Sequence, residues 1–253
     1  MKELSSNKEW KKWGKTDPLF GVASWAGRDK KGANPWTDEE FYALGVSDWK
    51  DFRKHWESYG VDNASCLEIG CGAGRITKQL ATYFCEVHAL DVSSDIIEYA
   101  KKRIERPSVI FHVSNGSDIP LDDQSMSAVF STHVFQHFDS LVAAKKYFGE
   151  IARVMKPSGT VMIHLPIYKW PRMGRIFRRI YKVQKHLEDV KARAKRLLMD
   201  YGMAKPIMRS LIYPVEFFYE VLPGLGFIDI EVSIFVTKSN NAPHPFIFAT
   251  KKQ

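Results

Sequence analysis

At 253 residues the chain is long enough for one substantial domain with extensions, and its hydrophobic fraction of 45% is that of an ordinary folded protein. Three cysteines (Cys66, Cys71, Cys85) make neither a disulfide framework nor a zinc signature, and the opening Met-Lys-Glu-Leu-Ser-Ser lacks the apolar core of a signal peptide, so a reducing, cytoplasmic setting is expected. No run reaches the ~18 apolar residues of a membrane span. The net charge of +8 is local: residues 169–209 hold thirteen Lys/Arg against three acids, which leaves the rest of the chain at −2.

Residues 1–60 are read as an aromatic-rich N-terminal cap. Six of the seven tryptophans lie there (Trp10, Trp13, Trp25, Trp36, Trp49, Trp56), in pieces broken by Asp17-Pro18, Gly27 and Asn34-Pro35. Thr37-Asp38-Glu39-Glu40 has the form of a capped helix start. So many large rings must bury themselves against the main domain, and part of the cap is expected to close over a ligand.

From residue 61 the pattern alternates. Strands are expected near 64–70, 86–91, 108–114, 127–133 and 159–165, with helices over 74–84, 94–105 and 140–155, the βαβ rhythm of a parallel sheet. Pro157-Ser158-Gly159 reads as a turn. A helix over 215–222 precedes two β runs, 227–236 and 245–251. Between lies a basic insertion, 167–213. There Ile176, Ile180, Val183, Leu187, Val190, Ala194, Leu197 and Tyr201 form a narrow apolar seam with the spacing of a coiled-coil helix. Four roles suit that seam: a lid on its own domain, a homodimer contact, a membrane surface contact through 170–201, or nucleic-acid binding, the last the least favoured.

The chemistry concentrates in Leu67-Glu68-Ile69-Gly70-Cys71-Gly72-Ala73-Gly74-Arg75. An apolar run ends in glycines at alternate positions and a helical pattern follows. Glycine lets the backbone turn sharply and approach a ligand, and the helix N-terminus offers free N–H groups. A second run, Val87-His88-Ala89-Leu90, ends in Asp91, placed to bind ribose hydroxyls. The spacing is G-x-G-x-G rather than the dinucleotide G-x-G-x-x-G, and no Gly-Lys-Ser/Thr ending of a P-loop is present. Glu68 suits a ligand that carries an ammonium group rather than a pyrophosphate. S-adenosylmethionine has that character.

At these residues the chain resembles the class I S-adenosylmethionine-dependent methyltransferases of small-molecule type. The likeness continues through Leu90-Asp91-Val92-Ser93, Asn115-Gly116-Ser117-Asp118-Ile119-Pro120, Ala128-Val129-Phe130-Ser131 to His137-Phe138, and Arg153-Val154-Met155-Lys156-Pro157-Ser158-Gly159. Asn115 stands where the family usually has Asp. The resemblance implies an α/β, Rossmann-like fold. It would have a seven-stranded, mostly parallel sheet, an antiparallel C-terminal strand, an N-terminal helical cap and a helical insertion after strand five. The methyltransferase domain would span 61–253. S-adenosylmethionine would be held by Glu68, Gly70, Cys71, Gly72, Gly74, Arg75, Asp91, Val92, Asn115, Gly116, Asp118 and Ser131.

Ligands of such sheets lie beyond the carboxyl ends of the strands. His133 stands at the tip of the fourth strand, His137 follows it and His164 ends the fifth, so these three are the candidate catalytic bases, in that order, for proton removal from an acceptor hydroxyl. No metal is expected: magnesium prefers oxygen ligands, and His133 and Gln136 stand where metal-holding relatives carry carboxylates. The Asn/Asp-Pro-Pro-Tyr/Phe tetrapeptide of base-modifying enzymes is absent. The expected function is methyl transfer to a small-molecule or lipid-linked acceptor, anionic to suit the basic insertion and methylated at oxygen. The alternatives are an RNA methyltransferase that uses the insertion, or a non-catalytic interaction protein of the same fold. A cytoplasmic location, with membrane association through the insertion, is the corresponding expectation.

Overall fold

The computed structural model describes residues 5–168, 211–239 and 241–253. The amphipathic helix expected over 176–201 lies outside the described residues. In chain order the elements are α1 (Ser5–Thr16), α2 (Pro18–Val22), α3 (Asp38–Tyr59), β1 (Ser65–Ile69), α4 (Thr77–Leu80), β2 (Glu86–Asp91), α5 (Ser94–Lys101), β3 (Val109–Val113), β4 (Met126–Ser131), α6 (Leu141–Val154), β5 (Met155–His164), β6 (Ile167–Tyr168), β7 (Tyr213–Pro214), α7 (Val215–Val221), β8 (Phe227–Val236) and β9 (Pro243–Lys251). Seven strands form one sheet in the order β3-β2-β1-β4-β5-β9-β8. The first five are parallel; β9 runs antiparallel to β5 and β8 antiparallel to β9. This is the Rossmann-like sheet with its antiparallel C-terminal strand. The short β6 and β7 pair with each other in parallel.

Helices cover both faces, which is why β1 and β4 are buried at every position and are mainly apolar, interrupted by Ser65, Glu68, Ser127 and Ser131. On one face Cys66, Ala128, Phe130, Met162 and Phe246 pack with Trp49, Phe52 and Trp56 of α3. On the other, Leu67, Val129, Val161 and Ile247 pack with α6 and α7 through Phe148, Ile151, Phe217 and Phe218. Helix α3 therefore belongs to the layered core. Its start is the capping box read from the sequence, with Thr37 and Glu40 each capping the other's backbone N–H, and Gly60 ends it at φ +103, where a Cβ would be strained. Trp56 is fully buried and its Nε1 donates to Thr160 Oγ1 at 3.0 Å.

Besides α5, which ends at Lys101 rather than 105, and β9, which begins at Pro243 rather than 245, three boundaries differ from the sequence expectation for a visible reason. Helix 74–84 shrinks to α4 and two flanking turns, because Gly72 and Gly74 hold positive φ and the chain is still turning there. Strand β4 stops at Ser131 rather than 133, since His133 adopts φ +59 and cannot continue a strand. The expected turn at Pro157-Ser158-Gly159 is a bulge within β5: Met155 pairs with Met126, the next pair is Thr160 with Ala128, and Ser158 sits at φ +62.

Candidate active site

Beyond the carboxyl ends of β1, β2 and β4 lies a cavity of about 340 Å³, within the range of small-molecule sites, roughly 300–1,000 Å³. Its floor is the glycine loop. Gly70 leaves β1 at φ +73 and donates its N–H to Leu90 O at 2.7 Å, which joins the loop to the tip of β2. Gly72, at φ +53, donates to Asp91 Oδ2 at 3.0 Å, and Ser93 N donates to Asp91 Oδ1 at 3.0 Å. Burial pushes the Asp91 carboxyl pKa up, and the backbone N–H groups of Ser93, Gly72 and Val92 pull against that rise. Gly70, Gly72, Asp91 and Val92 all line the cavity, as does Gly116 on the loop after β3.

Other residues expected at the cofactor support the loop from behind. Side chains alternate along a strand, so Glu68 points to the face opposite Leu67 and Ile69, away from the cavity. It is 3% exposed and accepts from Thr77 Oγ1 at 2.5 Å. Burial raises its pKa to about 7, opposed by the Thr77 hydroxyl and Arg75. Glu68, expected at an ammonium group, is absent from the cavity lining and ties the glycine loop to α4. Cys71 is buried against Ala89 and Ile97. Gly74 is required by packing, since a Cβ there would meet Ile104 Cδ1 at 2.4 Å. Ser131 donates to Ile69 O at 2.9 Å and stays buried in the sheet.

Asn115 and Asp118 also lie outside the cavity lining. Asn115 Oδ1 accepts from Ser117 N and Asp118 N, and its Nδ2 donates to Asp118 Oδ2 at 2.8 Å. These bonds shape the turn that presents Gly116. Arg153 braces the same loop, donating to Leu121 O, Ile119 O and the carboxylates of Asp123 and Glu150.

The N-terminal segment forms the roof. Asn7 and Trp10 of α1, Gly21 and Val22 of α2, the following Ala23–Trp25, and Leu44 and Asp48 of α3 line the cavity. The approach is close: a Cβ on Gly72 would meet Val22 Cγ2 at 2.5 Å, and one on Gly116 would meet Asn7 Nδ2 at 2.7 Å. Asn7 Nδ2 donates to Asn115 O at 2.8 Å, and Trp10 packs edge-on to His137 at 4.8 Å. Arg75, which lines the cavity, forms a buried ion pair with Asp48 and so docks α3 on the glycine loop. Among the described residues Asp48 Oδ1, Arg75 Nε and Thr132 Oγ1 are buried without a hydrogen-bond partner, and all three residues line this cavity. Orphaned polar atoms on a cavity wall are what a polar ligand satisfies.

Of the three candidate bases, the cavity receives two. His133 and His137 line it, with Gln136 between them. Gln136 Nε2 lies 3.1 Å from His137 Nε2, a contact in which the amide donates to the imidazole. Burial, then Arg75, His244 and His137, push the His133 pKa down to about 3, so the ring is neutral and weakly basic. His164, the third candidate base, is 5% exposed and does not line the cavity. Its Nδ1 accepts the His133 backbone N–H at 3.3 Å, and its Nε2 lies 3.4 Å from His244 Nδ1.

Sequence reasoning overlooked Asp48, Ser114, Thr132, Ser239 and His244. Asp48 had a signal: it is the one charged residue on the buried stripe of α3 that holds Phe41, Gly45, Trp49, Phe52 and Trp56. Ser239 and His244 had none, because only the β8–β9 hairpin brings them here.

A family model described as a methyltransferase domain matches residues 67–163, the span from β1 to β5 that carries this floor. That segment is a class I S-adenosylmethionine-dependent methyltransferase domain. The malonyl-[acyl-carrier protein] O-methyltransferase of Hahella chejuensis is 31% identical over 98 residues, 38% of this chain and 34% of that protein. The chain spans less than half the length of the curated relatives it matches. A methyltransferase in complex with the Haloferax volcanii Trm112 methyltransferase activator has the same fold, with TM-score 0.61, 13% identity and full coverage of both chains. The Haemonchus contortus phosphoethanolamine N-methyltransferase 2, with phosphomonomethylethanolamine and S-adenosylhomocysteine, superposes with TM-score 0.56 at 20% identity, over 81% of this chain and 53% of that one. S-adenosylmethionine is the cofactor of this methyltransferase domain. The site suits it: Gly70 and Gly72 turn the floor sharply at positive φ, and a carboxylate stands at the tip of β2 beside them.

Proposed function

We propose that the protein transfers a methyl group from S-adenosylmethionine to the oxygen of a small-molecule acceptor. The observation that carries this reading is that the glycine floor and Asp91 open into the same cavity as His133, Gln136 and His137. Gly70, Gly72, Asp91, Val92 and Gly116 would hold the cofactor, with Asp91 in place for ribose hydroxyls. When bound, the cofactor supplies an electrophilic methyl group on a sulfonium.

The chain's own task is to align the acceptor, exclude water and take a proton. The roof of α1 and α2 excludes water, and its closeness to the floor limits the acceptor to a small group or the head of a larger molecule. His133, neutral because of its burial beside Arg75, orients the acceptor by hydrogen bonding. His137 takes the proton, since a ring whose pKa is near 3 is too weak a base for a hydroxyl near neutral pH. The O-methyltransferase activity in the name of the Hahella relative supports the choice of oxygen. The basic segment 169–209 favours an anionic acceptor.

The test is methyl transfer from labelled S-adenosylmethionine to a panel of small carboxylates, phosphorylated alcohols and phenols. A methylated ester or ether is expected, with His137→Gln lowering turnover ~10²–10⁴-fold, the usual weight of a general base, and leaving cofactor affinity unchanged. Transfer to RNA in place of every small acceptor would refute the small-molecule assignment. Membrane association remains open to a vesicle-binding test of the basic segment. Among the described residues no helix is long and apolar enough to cross a membrane.

A further inference from the structure

Three imidazoles meet where the tip of β4, the end of β5 and the start of β9 converge. His133, His164 and His244 each offer a ring nitrogen, and these atoms all lie within 4.8 Å of one another. Ring centroids are 4.2 Å apart for His133 and His164, 5.2 Å for His164 and His244, and 5.4 Å for His133 and His244. His164 and His244 are 5% and 6% exposed, while His133 faces the cavity.

The contacts within this cluster are long. The His133 N–H to His164 Nδ1 contact (3.3 Å) and the contact of His164 Nε2 with His244 Nδ1 (3.4 Å) lie beyond the usual 2.7–3.2 Å hydrogen-bond range. His133 also holds φ +59, a backbone conformation that residues with a Cβ adopt at a cost. Desolvated rings, long contacts and a strained backbone gathered behind the cavity wall at His133 are the marks of a site shaped for a ligand.

We propose that His133, His164 and His244 bind a divalent transition metal of the zinc type. Three neutral imidazoles are a donor set of zinc sites that keep a fourth position open. Nitrogen donors select such ions over magnesium, so the site is distinct from the oxygen-rich magnesium site that the sequence argues against. Two nitrogens each ~2.0–2.1 Å from a tetrahedral ion stand about 3.4 Å apart, which is the His164 Nε2 to His244 Nδ1 separation. An ion there replaces that ring–ring contact and moves the His164 ring proton to Nδ1, so the long contact from the His133 N–H gives way. Asp48 and Arg75, the charged groups that act on His244, pull in opposite directions and are paired with each other. The open position faces the cavity on the His133 side. The assignment does not depend on methyl transfer.

The experiment is titration of chelator-stripped full-length protein with cobalt(II), followed by zinc(II) competition. One equivalent of cobalt should give the intense visible bands of a four-coordinate ion, and zinc should abolish them. His133→Asn, which tolerates positive φ, and His244→Phe should each weaken cobalt binding at least tenfold. His112→Asn, which alters the part-buried His88–His112 pair away from the cluster, should leave it unchanged. Because a core variant can fail to fold, zinc at a tenfold excess should also raise the melting temperature of the wild-type chain relative to chelator. Absence of four-coordinate bands, their persistence in both site variants, their loss in His112→Asn, or an unshifted wild-type melting temperature would each overturn the proposal.

Discussion

Glu68 is a carboxyl group buried behind the loop it was expected to serve, and its titration is a stability statement. Burial raises its folded pKa to about 7, above an unfolded value near 4.3. Between those values the folded chain binds more protons than the unfolded chain. Its contribution is therefore full below about pH 4.3 and is lost as pH rises through 7. At about 1.4 kcal/mol per pKa unit the whole loss approaches roughly 4 kcal/mol. Glu68→Gln removes that titration. Urea denaturation should show its stability relative to wild type improving by up to about 3 kcal/mol between pH 5 and pH 8; a constant difference would show that Glu68 is ionised throughout.

Asp91 is the counterpart that lines the cavity. Asp91→Ala should weaken S-adenosylmethionine binding by about 1–3 kcal/mol, because a charged acceptor is lost and the Gly72 and Ser93 N–H groups lose their partner. Calorimetry gives the number, and unchanged affinity would remove Asp91 from the cofactor site. The motif spacing made Asp91 legible. It left Glu68 ambiguous, because an acid two residues before a glycine is the same letter whether it faces in or out. Strand alternation and the Thr77 hydroxyl decide that question, and both need the register of β1.

At the scale of elements, the glycine loop and α2 are built as one contact. Gly72 has a positive φ and almost no room above it, since its Cβ would lie 2.5 Å from Val22 Cγ2. Gly72→Ala therefore meets two separable penalties, backbone strain and the clash with the roof. The variant should bind cofactor more weakly and lower the melting temperature. Adding Val22→Ala should restore part of the loss and no more, because strain at φ +53 remains. Complete rescue would assign the whole effect to the roof; no rescue would separate α2 from the floor.

The helices and strands themselves were largely visible in the hydrophobic periodicity. Their ends were not. The sequence pattern ran β4 on to His133 because Thr132 and His133 look no different from strand residues. Only the chain's turn at φ +59 shows that β4 has finished. That turn is what brings His133 to His164 and His244.

At the scale of the molecule, the roof and floor come from opposite ends of the first half of the chain and enclose the cavity between them. A ligand that fills this cavity should hold them together. S-adenosylhomocysteine at 100 times its Kd should stabilise the fold by about 2.7 kcal/mol. It should also slow trypsin cleavage at Lys11, Lys12 and Lys15 of α1, exposed sites on the roof. Stabilisation without protection of α1 would mean that ligand binding and roof closure are uncoupled. Arg75 and Asp48 tie α3 to the same assembly. Removing one partner leaves a buried charge, whereas replacing both with apolar residues of similar size is expected to be far milder.

The order of apolar runs, glycines and acids determined by itself the parallel sheet, the cofactor loop and the acid at the tip of β2. Each of these is written in residues close together in the chain, where spacing and backbone preference are enough. The tertiary structure alone decided which acid faces the cavity, that Asp48 completes its wall, and that the third imidazole beside His133 and His164 is His244. Those depend on contacts between residues 27, 31 and 80 positions apart. No local periodicity records such contacts, because sheet order and the β8–β9 hairpin create them.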